Sequence, residues 1–326
     1  MIGYFFETVL ASLLASVIPI LGYLFIIWWL DRNEREPLKL VFIHFIWGAV
    51  GAVILGIIWS MSLHGILKFY ISNEAINELT GTIIIAPVVE EITKGMFLLI
   101  MLSYRSYDNI TDGFVYGGAI GLGFGMSENF LYFITAQGDY VSWLYIVFVR
   151  TFLTALLHCS STAFLGVSLG YAKFKPGLQK YFIGFMGLIG AIVLHSLWNA
   201  SVSFSDTFIL GIGYGVSVIV LMIILFITSI YFESRIIRRE LSEESQNNFF
   251  NSKFLSIIPY YSERRKKGWI DESFRKEYIR VATQLAFRKM QCEQLRPGWR
   301  KEVYKSEIDF LRDRINKMDE ALAKSV

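Results

Sequence analysis

Three ionisable residues, Glu90, Glu91 and Lys94, stand inside the otherwise apolar stretch TIIIAPVVEEITKGMFLLIM at 82–101. A charge at the centre of a bilayer costs about 2.5–3.5 kcal/mol on insertion scales, so three in one helix need a reason. Lys94 follows Glu91 by three residues and Glu90 by four, so a helix lets it reach either carboxylate. One acid can thus be neutralised while the other stays free. Further polar groups follow in other apolar stretches: Glu128, then Arg150 and His158, then His195 with Asn199 one helical turn on. Thr151, Thr154, His158 and Ser161 form one polar stripe, and His195 and Asn199 share a face.

Two carboxylates in a low-dielectric site do not both ionise easily, and one of them can take a proton from water and return it to a leaving amine. Nearby imidazoles and an asparagine amide can hold that water or stabilise a developing oxyanion. Alternatively His158, His195 and a glutamate can bind Zn²⁺, as three protein ligands with an open position. Either route gives hydrolysis of a peptide bond, and no HExxH motif is present to select the metal. The bland reading of each residue is helix packing or simple ion pairing. Arg150 then serves as a snorkelling or carboxylate-pairing side chain.

The elements that must position these groups are membrane spans. The chain has 326 residues, 54% of them hydrophobic. Runs of about 20 apolar residues suffice to cross a hydrocarbon core of about 30 Å. Seven occur, at 8–30, 38–62, 80–103, 113–136, 141–170, 181–204 and 207–232. The expected fold is an all-α, polytopic membrane helix bundle of seven spans with a C-terminal cytoplasmic helical tail. The first run has no basic residue before it and is too long for a cleavable signal, so it reads as a retained span. Cys159 and Cys292 imply no disulfide framework.

Loop charges set the orientation. Arg32, Arg35 and Lys39 follow the first run, Arg105 the third, and Lys173, Lys175 and Lys180 the fifth, while the alternate loops hold only Lys68. By the positive-inside rule the N-terminus is outside and the tail is cytoplasmic. At about 1.5 Å per residue, Glu91, Glu128 and His195 then lie roughly 13–15 Å from the outer surface, and His158 roughly 25 Å. Polar groups at such depth face one another or a wet cavity. Gly117, Gly121 and Gly125 recur every four residues beside Glu128, a face that admits a close backbone and is the expected entry surface for a substrate.

The blocks APVVEEITKG, DGFVYGGAIGLGFGMSENFLYF, RTFLTALLHCSSTAFLG and HSLWNA resemble, in order, the signatures of the PrsW family of intramembrane proteases. They supply an EExxK element, an FxxxE element from Phe124 to Glu128, a mid-span His158 and an HxxxN element from His195 to Asn199, across residues 80–204. CAAX prenyl endopeptidases, in the same superfamily, typically carry EExxxR and FxxxH instead. The resemblance implies a bacterial plasma-membrane protease that clips a single-span membrane protein, typically an anti-sigma factor, on its outer side. Carried over, it makes Glu91 the general base and Glu90 its partner. Glu128, His158 and His195 become water or metal ligands, Asn199 an oxyanion donor, and Zn²⁺ stays open.

Residues 1–233 form the expected protease domain, with 10 basic and 14 acidic groups, and residues 234–326 the tail, with 21 and 14. In the tail Ile270, Phe274, Tyr278, Val281, Leu285 and Phe287 suggest an amphipathic helix over 269–290, followed by a break at Pro297-Gly298. Ile308, Leu311, Ile315, Met318 and Leu322 then make a short coiled-coil-like stripe. The basic excess fits an anionic lipid surface or a cytoplasmic partner, with an inert appendage as the plain alternative. Interleaved acids argue against nucleic acid. Two other function classes fit buried Glu and His residues: an ion-coupled transporter, and an inactive scaffold that acts through its tail. No inverted repeat is visible to favour the transporter.

Overall fold

The structure, a computed structural model, describes residues 2–104, 107, 109–136 and 139–324, and Arg105 lies outside them. Among these residues every regular element is helical. The chain forms two compact units.

The first unit comprises Met1–Leu30, Glu36–Lys173 and Lys180–Phe226. Its helices are α1 (Ile2–Leu30), α2 (Leu38–Leu67), α3 (Ala86–Met101), α4 (Ile110–Thr135), α5 (Tyr140–Ala172) and α6 (Gln179–Val202). Then comes α7 (Phe208–Gln246), whose first part belongs here. Among the described residues five segments are, by length and composition, able to cross a membrane: Glu7–Leu30, Leu38–Leu67, Tyr140–Ala172, Gln179–Val202 and Ser205–Gln246. The helices outside that set, α3 and α4, are the ones that carry the acids. Three charges dilute α3, and six glycines between Gly113 and Gly125 dilute α4.

Local signals start these helices where the sequence provides them. Asn73 caps the continuous helical run Glu74–Met101, whose last part is α3, through the Ile76 amide at 3.2 Å. Asn109 and Asp112 close a capping box on α4, and Asp139 caps α5 through the Ser142 amide at 2.8 Å.

Helix α4 is the centre of the unit, with every residue from Thr111 to Gly125 buried. Its glycines let other backbones touch it. A Cβ on Gly117 or Gly121 would stand 2.5 or 2.2 Å from the carbonyl oxygen of Thr162 or His158 on α5. On the opposite side a Cβ on Gly123 would meet the Phe45 carbonyl of α2 at 2.1 Å. The expected substrate entry along the glycine face is therefore wrong: α5 fills that face backbone to backbone.

Three π-helical segments interrupt the regular turns: Trp47–Ala52 within α2, Gly81–Ile85 before α3, and Arg150–Thr154 within α5. A π turn leaves a carbonyl outside the normal ladder. Each segment has one such group served by a side chain of another helix. Ser127 donates to the Ala49 carbonyl at 2.7 Å, Asn199 to Thr82 at 2.9 Å, and Asn129 to Arg150 at 3.3 Å.

The second unit comprises Asp31–Arg35, Phe174–Gln179 and Ile227–Val326. It contains α8 (Glu272–Gln294) and α9 (Trp299–Lys324). Tyr278, Val281 and Leu285 of α8 and Ile308, Leu311 and Ile315 of α9 are buried in one core with Ile237, Leu241 and Phe254. The two apolar stripes read from the sequence are thus consumed inside this unit. The buried Arg264 donates to the Arg32 carbonyl at 2.6 Å and to Asn33 at 3.0 Å, which ties in the short 31–35 segment.

Candidate active site

Four helices bring their ionisable groups together. Glu91 of α3 is fully buried, and its carboxylate is saturated. Its Oε1 accepts from Lys94 Nζ at 2.9 Å, His195 Nδ1 at 3.0 Å and Ser161 at 3.2 Å, and its Oε2 accepts from Thr162 at 3.1 Å. Lys94, also fully buried, stands 3.1 Å from His158 Nδ1, 3.6 Å from Glu90 Oε2 and 4.0 Å from the centre of the Phe124 ring.

These contacts fix both imidazoles. A lysine ammonium only donates, so His158 Nδ1 is the acceptor and the proton is on Nε2, which donates to Glu128 Oε2 at 2.6 Å. The carboxylate of Glu91 only accepts, so His195 carries its proton on Nδ1. Its Nε2 lone pair is left facing Glu90 Oε2 across 3.8 Å. That oxygen is buried and has no hydrogen-bond partner. A buried polar atom without a partner is costly, and the gap it faces suits a water molecule or an ion.

Glu128 is held from two sides, by His158 and by Arg150 Nη2 at 2.9 Å. Both residues lie on α5, eight positions apart. On a regular helix they would point about 80° apart, and the one residue added by a π turn reduces this to about 20°. The Arg150–Thr154 segment supplies that residue. Arg150 also stacks 3.6 Å from the centre of the Tyr132 ring and donates to Asn129 Oδ1 at 3.1 Å.

Glu90, Glu91, Lys94, Glu128, Arg150, His158 and His195 are therefore one cluster. Asn199 is engaged elsewhere, on the Thr82 carbonyl. Sequence reasoning passed over Thr162 and Asn129. Thr162 sits four residues after His158, so the polar stripe of α5 already pointed to it, and Asn129 directly follows Glu128. Within this cluster Glu90, His158 and His195 have donor atoms close enough for a metal, all within 4.8 Å of one another. This set contains Glu90 where the sequence reading had Glu128, whose oxygens are taken by His158 and Arg150.

The fold and the site are those of a helical membrane protein with a buried acid–imidazole–ammonium centre. The family model described as PrsW family intramembrane metalloprotease matches residues 36–228. The chain belongs to this family and is a protease. Protease PrsW of Oceanobacillus iheyensis is 28% identical over 199 residues, covering 59% of this chain and 81% of that protein. Protease PrsW of Clostridioides difficile is 26% identical over 214 residues, covering 64% and 83%, and that of Bacillus subtilis is 23% identical over 194 residues, covering 59% and 81%. No solved structure matches.

The family description implies a metal, and the donor set here fits one. Glu90 has an unpartnered oxygen and His195 an unused lone pair. His158 can join them by releasing Lys94 from Nδ1 or Glu128 from Nε2. With Glu90, Glu91 and Glu128 ionised against Lys94 and Arg150, the cluster carries one excess negative charge, which a bound cation offsets.

Proposed function

We propose that the chain is a seven-span intramembrane endopeptidase of the plasma membrane. Its N-terminus is outside and its C-terminal helices are cytoplasmic. It cuts a single-span membrane protein, such as an anti-sigma-factor-like regulator, in the outer half of the bilayer. The observation that carries this reading is the unpartnered Glu90 oxygen 3.8 Å from a free imidazole lone pair.

One water fits between them, at roughly 2.8 Å from each acceptor. It donates one hydrogen to Glu90 and the other to His195, which turns an oxygen lone pair toward an incoming carbonyl carbon. As the C–O bond forms, Glu90 takes the water proton and later delivers it to the leaving amine. The Lys94 ammonium beside Glu90 stabilises the negative charge that builds up. Glu91 acts through its partners: it fixes the His195 tautomer and holds Lys94 in place. The base role thus moves from Glu91 to Glu90 relative to the family-based expectation. Zn²⁺ held by Glu90, His158 and His195 would supply Lewis-acid polarisation and a more acidic water.

The test is Glu90→Gln in cells that also express a single-span reporter. Cleavage is expected to fall at least about 10²-fold while the protein remains folded. Undiminished cleavage by the folded variant overturns the assignment.

A further inference from the structure

The second unit has an exposed feature that neither its core nor the peptidase chemistry uses. Its segment Phe174–Gln179 joins two helical segments able to cross a membrane, Tyr140–Ala172 and Gln179–Val202, so this segment runs along a membrane surface. Within the same unit the turn between α8 and α9, LRPGWRK at 295–301, comes up beside it. A Cβ on Gly177 would stand 3.7 Å from Arg296 Nη2.

The two pieces present bulky apolar side chains outward. Leu178 is 83% exposed and Trp299 76% exposed. Arg296 and Arg300 flank the tryptophan and are exposed as well. The turn itself is fixed: Gly298 adopts φ +152°, and Lys301 Nζ donates to the Leu295 carbonyl at 3.2 Å. A large indole held out between two arginines has no purpose in water. It matches the boundary of a bilayer, where tryptophan rings lie at headgroup level and arginines meet lipid phosphates.

We propose that Leu178, Arg296, Trp299 and Arg300 form an interfacial anchor that seats the C-terminal unit on an anionic phospholipid surface. The apolar pair enters the headgroup–acyl boundary and the arginines contact lipid phosphates. This anchor is independent of the peptidase reading, because it involves none of the site residues.

Hydrogen–deuterium exchange of the full-length protein in lipid nanodiscs tests it. In discs containing about one-third phosphatidylglycerol, segments 174–180 and 295–303 should exchange several-fold more slowly than in discs of phosphatidylcholine alone. The Arg296→Gln/Arg300→Gln double variant should lose that protection, with exchange at 278–287 in the core unchanged as evidence of folding. Equal exchange in both lipids overturns the proposal, as does protection that survives in the folded double variant. Protection of the phosphatidylcholine sample by soluble glycerol phosphate would indicate a free-anion site and also overturns it.

Discussion

Gly121→Ala adds one methyl group where α4 and α5 touch backbone to backbone beside the site. The new Cβ would stand 2.2 Å from the His158 carbonyl oxygen, whereas ordinary contact begins near 3.4 Å. The obstacle is backbone in the middle of a helix, so no side chain can swing aside. The two helices must part by about 1.2 Å, at a cost of about 1–3 kcal/mol for overpacking. Glu128 is on one helix and His158 on the other, and their 2.6 Å hydrogen bond stretches toward about 3.8 Å, too long to hold. A displacement of about 1 Å in a catalytic constellation costs about 10²-fold in rate. The assay is cleavage of a single-span reporter, normalised to protease level, alongside thermal unfolding of the purified variant. Gly22→Ala serves as the control, since a Cβ there meets nothing within 4 Å. If Gly121→Ala cleaves and melts like the parent protein, the close α4–α5 contact does not position the site.

Lys94→Met should destabilise the protein by about 3–5 kcal/mol, because Glu90 and Glu91 lose their buried cation, and denaturation in detergent measures it. Purified protein should contain close to one equivalent of metal, and His195→Ala should lose it, as read by elemental analysis. Metal-free protein at full activity would leave only the glutamate and water chemistry. Asn129→Ala should release Arg150 Nε, loosen the seating of Arg150 against Glu128 and lower cleavage, while stability falls by about 1–3 kcal/mol, the scale of the two hydrogen bonds lost, as read by thermal melting. Ile315→Ala should cost the second unit about 2–5 kcal/mol, visible as earlier exchange in α8 and α9, with Glu90-dependent cleavage as the independent readout.

The helical character and the polar positions were legible in the sequence, because apolar runs and ionisable residues are visible without knowing contacts. The convergence of Glu90, Glu91, Glu128 and His195 was expected from their similar depth, whereas His158, placed roughly 10 Å deeper by the same count, joins them only through the packing of α5 on α4. Which acid is satisfied could not be read. Glu91 and Glu90 are adjacent in the chain, and the choice depends on Ser161 and Thr162 reaching one and not the other. Asn199 shares a helix face with His195, yet the Thr82 carbonyl captures it, because Pro87, five residues on in the π turn, has no N–H to serve that carbonyl. The glycine face was legible as a place of close approach, but whether a substrate or α5 occupies it depends on the packing of the whole bundle. The tail's apolar stripes were visible too, and only the folded unit shows that they pack against each other instead of lipid.

The surplus residue within Arg150–Thr154 works like the tooth of a gear. Angular position along a helix changes in steps of about 100°, so the arginine above and the histidine below it mesh with one glutamate or miss it altogether. Loss of a single amino acid in that stretch would turn the upper part of the helix away and leave the lower part, with Ser161 and Thr162 on Glu91, where it was. Lineages can therefore exchange side chains here far more freely than they can change the count between these two positions.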